Sequence, residues 1–127
     1  MNIINATPQE RNLIKEILHD YPQKDFKVRV VEKKRNYGHF SQTKREIVLK
    51  RFDNLMDFYH ILAHEVCHYV QYLNEQRFSE READEFAVMM VNKRYGTNWT
   101  AQRKKKLDGG YYKYLEVNKG ENVGDLK

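Results

Sequence analysis

The sequence predicts one α+β domain, on three observations. Segments with helical period and segments with strand period are segregated along the chain, as a helix, then strands, then further helices. At 127 residues the chain is long enough for one core but not for two. Its 40% hydrophobic and 13% aromatic content is sufficient to close that core.

Taken in order, Thr7-Pro8-Gln9-Glu10 opens the first helix. Threonine caps it, proline suits the first turn, and glutamate three residues past the cap completes a capping box. Leu13, Ile14, Ile17 and Leu18 form the inward stripe, and Asp20-Tyr21-Pro22 ends it. Phe26 to Val30 alternates apolar and polar residues, which predicts a half-buried strand. Tyr37 to Gln42 and Glu46 to Lys50 read as two more strands around a Thr43-Lys44 turn, with Ile47 and Leu49 pointing inward. Gly38 within the first of these marks a bulge or a close approach by another backbone.

Asn54 caps a long helix that runs to about Asn74. Leu55, Phe58, Tyr59, Leu62, Val66, Tyr69, Val70 and Leu73 fall at steps of three and four along its apolar face. Ser79-Glu80-Arg81-Glu82 starts the next helix, with Ala83, Phe86, Ala87, Met90 and Val91 inward and Gly96 as its stop. A short helix is expected from about Trp99 to Leu107, broken by Gly109-Gly110. The expected domain is therefore residues 1–117, comprising an N-terminal helix, a three-stranded sheet and three further helices. Residues 118–127 are expected to form a flexible tail.

Charge and composition exclude some classes. Twenty-three basic and eighteen acidic residues give a net charge of +5, a modest excess. Cys67 is the sole cysteine, so an internal disulfide is excluded and a reducing, cytoplasmic setting is expected. No stretch approaches the ~18 apolar residues of a membrane span, and no signal-like run follows Met1.

The most informative stretch is His64-Glu65-Val66-Cys67-His68, inside the long helix. Histidines four apart on a helix stand one turn above each other, so their imidazoles can converge on one cation. Imidazole nitrogen suits zinc, and a tetrahedral ion leaves further positions open. Glu65 is placed to reach a water activated by that cation and to act as its general base. The plainer reading is a buried helix whose two histidines only satisfy backbone groups. What favours the cation is the second stripe of Ile61, His64, Glu65, His68 and Tyr72 beside the apolar face.

A third protein ligand is required for such a site. Glu75, Glu80, Glu82, Asp84 and Glu85 are the acidic residues downstream. Glu82, beside Ala83 and one turn before Phe86, is the one expected to face the histidines, with Glu85 and Glu80 in reserve. As the fourth residue of a Ser-x-x-Glu box, Glu82 has a competing role in capping Ser79.

His64-Glu65-x-x-His68 followed by Glu80-x-Glu82-Ala83-Asp84-x-Phe86-Ala87 resembles the gluzincin-type zinc peptidases. The likeness is greatest to their small ImmA/IrrE-like branch and to the single-domain minigluzincins, and covers about residues 26 to 92. It implies a zincin-like fold, one zinc ion held by His64, His68 and Glu82, Glu65 as catalytic base, and a protein or peptide substrate. Thirteen residues separate His68 from Glu82, a short connection for that branch. The Leu-Met-Pro segment that often follows the family's glutamate helix is absent. The strands around Gly38-His39-Phe40 and Ile47-Val48-Leu49 also look similar to the lead-in of SprT-like proteases. In those the third ligand is a histidine, and none follows His68 here.

Other residues carry smaller expectations. Asp84 or Glu85 could take the second ring proton of a ligating histidine, although each reads first as part of a solvated helix face. Cys67 reads as a small buried hydrophobe and His39 as an ordinary strand histidine that could line a cleft. Tyr95, Tyr111, Tyr112 and Tyr114 are candidate donors to an oxyanion. Arg103, Lys104, Lys105 and Lys106 read as a solvated helix face, or more sharply as a weak contact to nucleic acid. The competing function is accordingly a nucleic-acid-associated or mobile-element accessory binding protein whose zinc is structural or vestigial.

Overall fold

A computed structural model describes residues 1–32, 37–106 and 112–116, with side-chain placement given outside 102–106 and 112–116. The elements run β1 (Asn2–Ile4), α1 (Pro8–Leu18), β2 (Lys27–Val31), β3 (Gly38–Ser41), β4 (Glu46–Lys50), α2 (Leu55–Leu73), α3 (Glu80–Tyr95), β5 (Trp99–Lys106) and β6 (Tyr112–Glu116). The α+β class is as the sequence predicts. Two expectations about its parts are not met.

The first concerns the sheet, which has four strands in the order β1-β2-β4-β3 rather than three. The added strand, β1, holds three residues and pairs parallel with β2. β2 pairs parallel with β4, and β3 antiparallel with β4. β2 and β4 are the two inner strands, and on β4 Val48 is buried along with Ile47 and Leu49. On β2 only Val28 and Val30 are buried while Lys27 and Arg29 are exposed, so alternation there survives. β3 closes the sheet as an edge strand.

The second is the helix expected over Trp99 to Leu107. That stretch is β5, paired antiparallel with β6 and interrupted by a register shift between Thr100 and Lys104. The cause lies at its root. The Asn92 side-chain amide donates to the Trp99 carbonyl at 2.9 Å and accepts from the Trp99 amide at 2.8 Å. Both backbone groups are thereby satisfied in an extended conformation, and buried Trp99 packs against His60. Arg103 to Lys106 therefore lie on a strand, not a helix face. Tyr111 and the expected tail, 118–127, fall outside the described residues.

Helix boundaries follow their caps. Thr7 and Glu10 make the reciprocal capping box, the Thr7 hydroxyl accepting at 3.1 Å and the Glu10 carboxylate at 2.8 Å. The Asn54 side chain accepts from the Met56 amide, and Gly96 ends α3 at φ 67°, in the left-handed region. One core joins the sheet to α1, α2 and α3 through fully buried Ile14, Leu18, Val28, Ile47, Leu62 and Val91. Burial of side chains this size contributes roughly 1.5–3 kcal/mol each before the ordering entropy is set against it. Among the described residues, no helix is long and apolar enough to cross a membrane.

Candidate metal centre

α2 buries one face in the core and turns the next toward β3 and the start of α3. His64, Glu65 and His68 lie along that second face, the two imidazole rings 5.0 Å apart. Glu65 and His68 are both 7% exposed, so their surroundings rather than water determine their behaviour. This is the register the sequence predicts for the pair.

The third acidic group comes from the first residue of α3, and it is Glu80. Its two carboxylate oxygens stand 3.1 Å from His64 Nε2 and 2.8 Å from His68 Nε2. Glu82, the sequence's first choice, is not in this group. The helical period gives the reason. At 100° per residue, Glu80, Ala83, Asp84, Ala87 and Val91 share one face, and Ala83, Ala87 and Val91 are buried on it. Glu82 lies about 200° round from Glu80, is exposed, and its charge is felt by Cys67 instead. Nor does Glu82 act as a return cap, because the Ser79 amide donates to Gln71 Oε1 at 3.2 Å.

Gln71 is the residue that sequence reading missed. It is fully buried, and its amide links the two helices. Oε1 accepts from His68 Nδ1 at 2.9 Å and from the Ser79 amide, while Nε2 donates to the Ser79 carbonyl at 3.2 Å. Ser79 is the N-cap of α3, so the same side chain that orients His68 also sets where Glu80 begins. A polar residue three positions after His68, one turn along and near the histidines' side of the helix, was the available signal.

Asp84, one turn after Glu80, places Oδ1 3.1 Å from His64 Nδ1. Asp84 thus departs from the solvated role that it reads as first in the sequence, while Glu85 keeps that role and pairs with Arg81 on the exposed side. Each ring thus has its Nδ1 proton assigned, to Asp84 and to Gln71, and each turns Nε2 toward Glu80. A neutral imidazole held so presents a lone pair at Nε2, and a lone pair facing a carboxylate oxygen at these distances is repulsive. Two extra protons relieve the repulsion; a single divalent cation supplies the same charge. The ligand atoms of His64, His68 and Glu80 lie within 4.8 Å of one another, against edges of roughly 3.3 Å in a tetrahedral zinc site. The three residues therefore fit a cation after small side-chain rotations. Two imidazoles and a carboxylate suit several first-row divalent ions, zinc among them.

The electrostatics agree with that fit. Burial disfavours a charged His64, yet the Asp84 hydrogen bond and the charges of Glu65, Glu80 and Asp84 outweigh it. The imidazole is held above its ordinary value, so the pocket favours positive charge. Compared with known protein families, curated proteins and solved structures, the chain matches none.

A cleft of about 330 Å³ opens over the trio, between the edge strand and the helices. Gly38, His39 and Phe40 form one wall, Glu65 and His68 part of the floor, and Phe78 a lip. The expected close approach at Gly38 is real, but side chains of α2 and β4 make it, and the β3–β4 register has no bulge. A Cβ there would come within 2.8 Å of Ile61 Cγ2 and 3.3 Å of Glu65 Cγ. Cys67 is buried, as expected, and its thiol is pushed up to about 11 by burial and by Glu82. Tyr95 packs edge-on against Tyr59, away from the cleft. Of the other candidate oxyanion donors, Tyr111 and the side chains of Tyr112 and Tyr114 lie outside what is described. A larger hollow of about 610 Å³, lined by residues such as Ile17, Tyr59, Phe86 and Met90, includes none of the trio.

Proposed function

We propose that the protein is a small metal-dependent peptidase, with zinc as the ion and His64, His68 and Glu80 as its ligands. The observation that carries this reading is the convergence of those three groups beside Glu65 in one open cleft. When bound, zinc supplies Lewis acidity, polarising a carbonyl and lowering the pKa of water. Gln71 and Asp84 hold the Nδ1 protons of the two rings, which keeps both Nε2 lone pairs directed at the ion. A carboxylate oxygen of Glu65 accepts a proton from the attacking water and returns it to the departing amine. The low exposure of Glu65 keeps bulk water away from that transfer. β3, as an edge strand along the cleft, pairs with an extended peptide and lays its carbonyl across the site. A reducing, cytoplasmic setting suits a chain whose single cysteine is buried and resists ionisation.

The test is peptide cleavage by the zinc-loaded protein beside its Glu65→Gln variant. Both should bind zinc equally, while turnover in the variant falls by roughly 10²–10⁴-fold, the usual weight of a positioned base. Equal turnover in the two, or no cleavage by the zinc-loaded wild type across a broad peptide mixture, would overturn the proposal.

A further inference from the structure

Phe78 lies in the connection between α2 and α3 and is 50% exposed. One exposed phenylalanine is ordinary on a protein surface. This one lines the same cleft as His64, His68 and Glu80, with its ring 5.4 Å from that of His68. It also meets Phe40 edge-on at 6.1 Å. Phe40 is fixed in turn by Tyr69 at 5.6 Å and Tyr72 at 5.7 Å, and Tyr69 stacks on buried Phe26 at 4.3 Å. A row of aromatic rings therefore runs from the core to the lip of the cleft, and its outermost member is half in water.

The cleft is consequently divided. One side carries Glu65, Glu80 and the imidazoles; the other is an aromatic wall held in place from behind. A ligand with a polar group at the ion and a large apolar side chain next to it satisfies both sides. An acidic side chain in that position would lose its water against the aromatic wall without gaining a partner there.

We infer that Phe78 and Phe40 form a specificity subsite for a large apolar, preferably aromatic, side chain adjacent to the group bound at the ion. This rests on the peptidase reading above and names its substrate class as peptides with such a residue flanking the cleaved bond. The wall is preformed, because Phe40 is anchored in the core, so little ordering is needed on binding. Edge-on contacts among aromatic rings add to the apolar burial.

Two matched amino-acid hydroxamates, identical except for a benzyl or a methyl side chain, separate the subsite from the reading beneath it. Titrated calorimetrically into the zinc-loaded protein, the benzyl compound should bind roughly tenfold or more tighter, as a pocket filled by an aromatic group requires. Phe78→Ala, at a half-exposed position, should reduce that ratio to about threefold or less by weakening the benzyl compound more than the methyl one. Equal binding of the two compounds, or a preference untouched by Phe78→Ala, refutes the subsite and leaves the metal site standing. Failure of both to bind the zinc-loaded protein refutes the peptidase reading, which needs an open position at the ion, and the subsite with it.

Discussion

At Gln71 one buried amide does two things at once, orienting His68 through Nδ1 and fixing Ser79 at the head of α3. Replacing it with leucine keeps the volume but strands the Ser79 amide and the His68 Nδ1 proton. Zinc affinity should then fall by roughly 10–100-fold, as loss of a ligand's hydrogen-bond partner does. Gln71→Glu keeps an acceptor for both donors and should recover part of that affinity. A competition titration with a zinc chelator measures both, and a leucine variant of unchanged affinity would contradict the assigned role. Residue-level legibility was uneven for a physical reason. His64, Glu65 and His68 could be read because i, i+4 spacing fixes their relation within one helix. The acidic partner depends on the rotation of a second helix. Stepping 100° per residue from Ala83 and Ala87 points to Glu80 and Asp84, whereas adjacency to Ala83 in sequence points wrongly to Glu82.

Between elements, the contact that matters most is β3 on α2. Gly38 lets the edge strand settle against Ile61 and Glu65, and an added methyl would overlap Ile61 Cγ2 at 2.8 Å. Gly38→Ala should therefore destabilise the fold by about 1–3 kcal/mol, the usual cost of overpacking. It should also slow catalysis more than it weakens zinc, since Glu65 is displaced and the ligands are not. Combining it with Ile61→Ala should show strong non-additivity in thermal melts, because the second change removes the obstructing atom. Additive losses would contradict the close contact. Elements with their own local signals were legible: the Thr7–Glu10 box, the Asn54 cap and the Gly96 stop all stand where the sequence puts them. Those formed by tertiary partners were not. β1 is three residues paired with β2, too short to carry a period of its own, and β5 starts where Asn92 binds both backbone groups of Trp99. The Asp108-Gly109-Gly110 sequence between β5 and β6 is a hairpin signal that the helical reading passed over.

Across the whole molecule, Arg51 joins parts of the chain that are distant in sequence. Its guanidinium donates to the Glu10 carboxylate on α1 at 2.8 Å, to the Asn5 carbonyl at 2.6 Å and to Glu32. Glu10 is 2% exposed. Burial alone would raise its carboxyl, but the Arg51 hydrogen bonds, the Thr7 amide and the Arg51 charge prevail and hold it below its ordinary 4.5. A carboxyl lowered in the folded state contributes stability that is full above its unfolded value. That contribution is lost as pH falls through the lower folded value. Glu10→Gln should cost about 2 kcal/mol at neutral pH, lowering Tm by several degrees, and the gap to wild type should shrink below about pH 4. A gap that stays constant into acid would contradict the ion pair's role.

The metal centre depends on which acidic side chain completes the pair of histidines. The direct measurement is zinc content by elemental analysis of the wild type, Glu80→Ala and Glu82→Ala after identical loading and dialysis. The arrangement of α2 and α3 predicts about one equivalent in the wild type and in Glu82→Ala, with little retained by Glu80→Ala. Full retention by Glu80→Ala, or loss confined to Glu82→Ala, would contradict it.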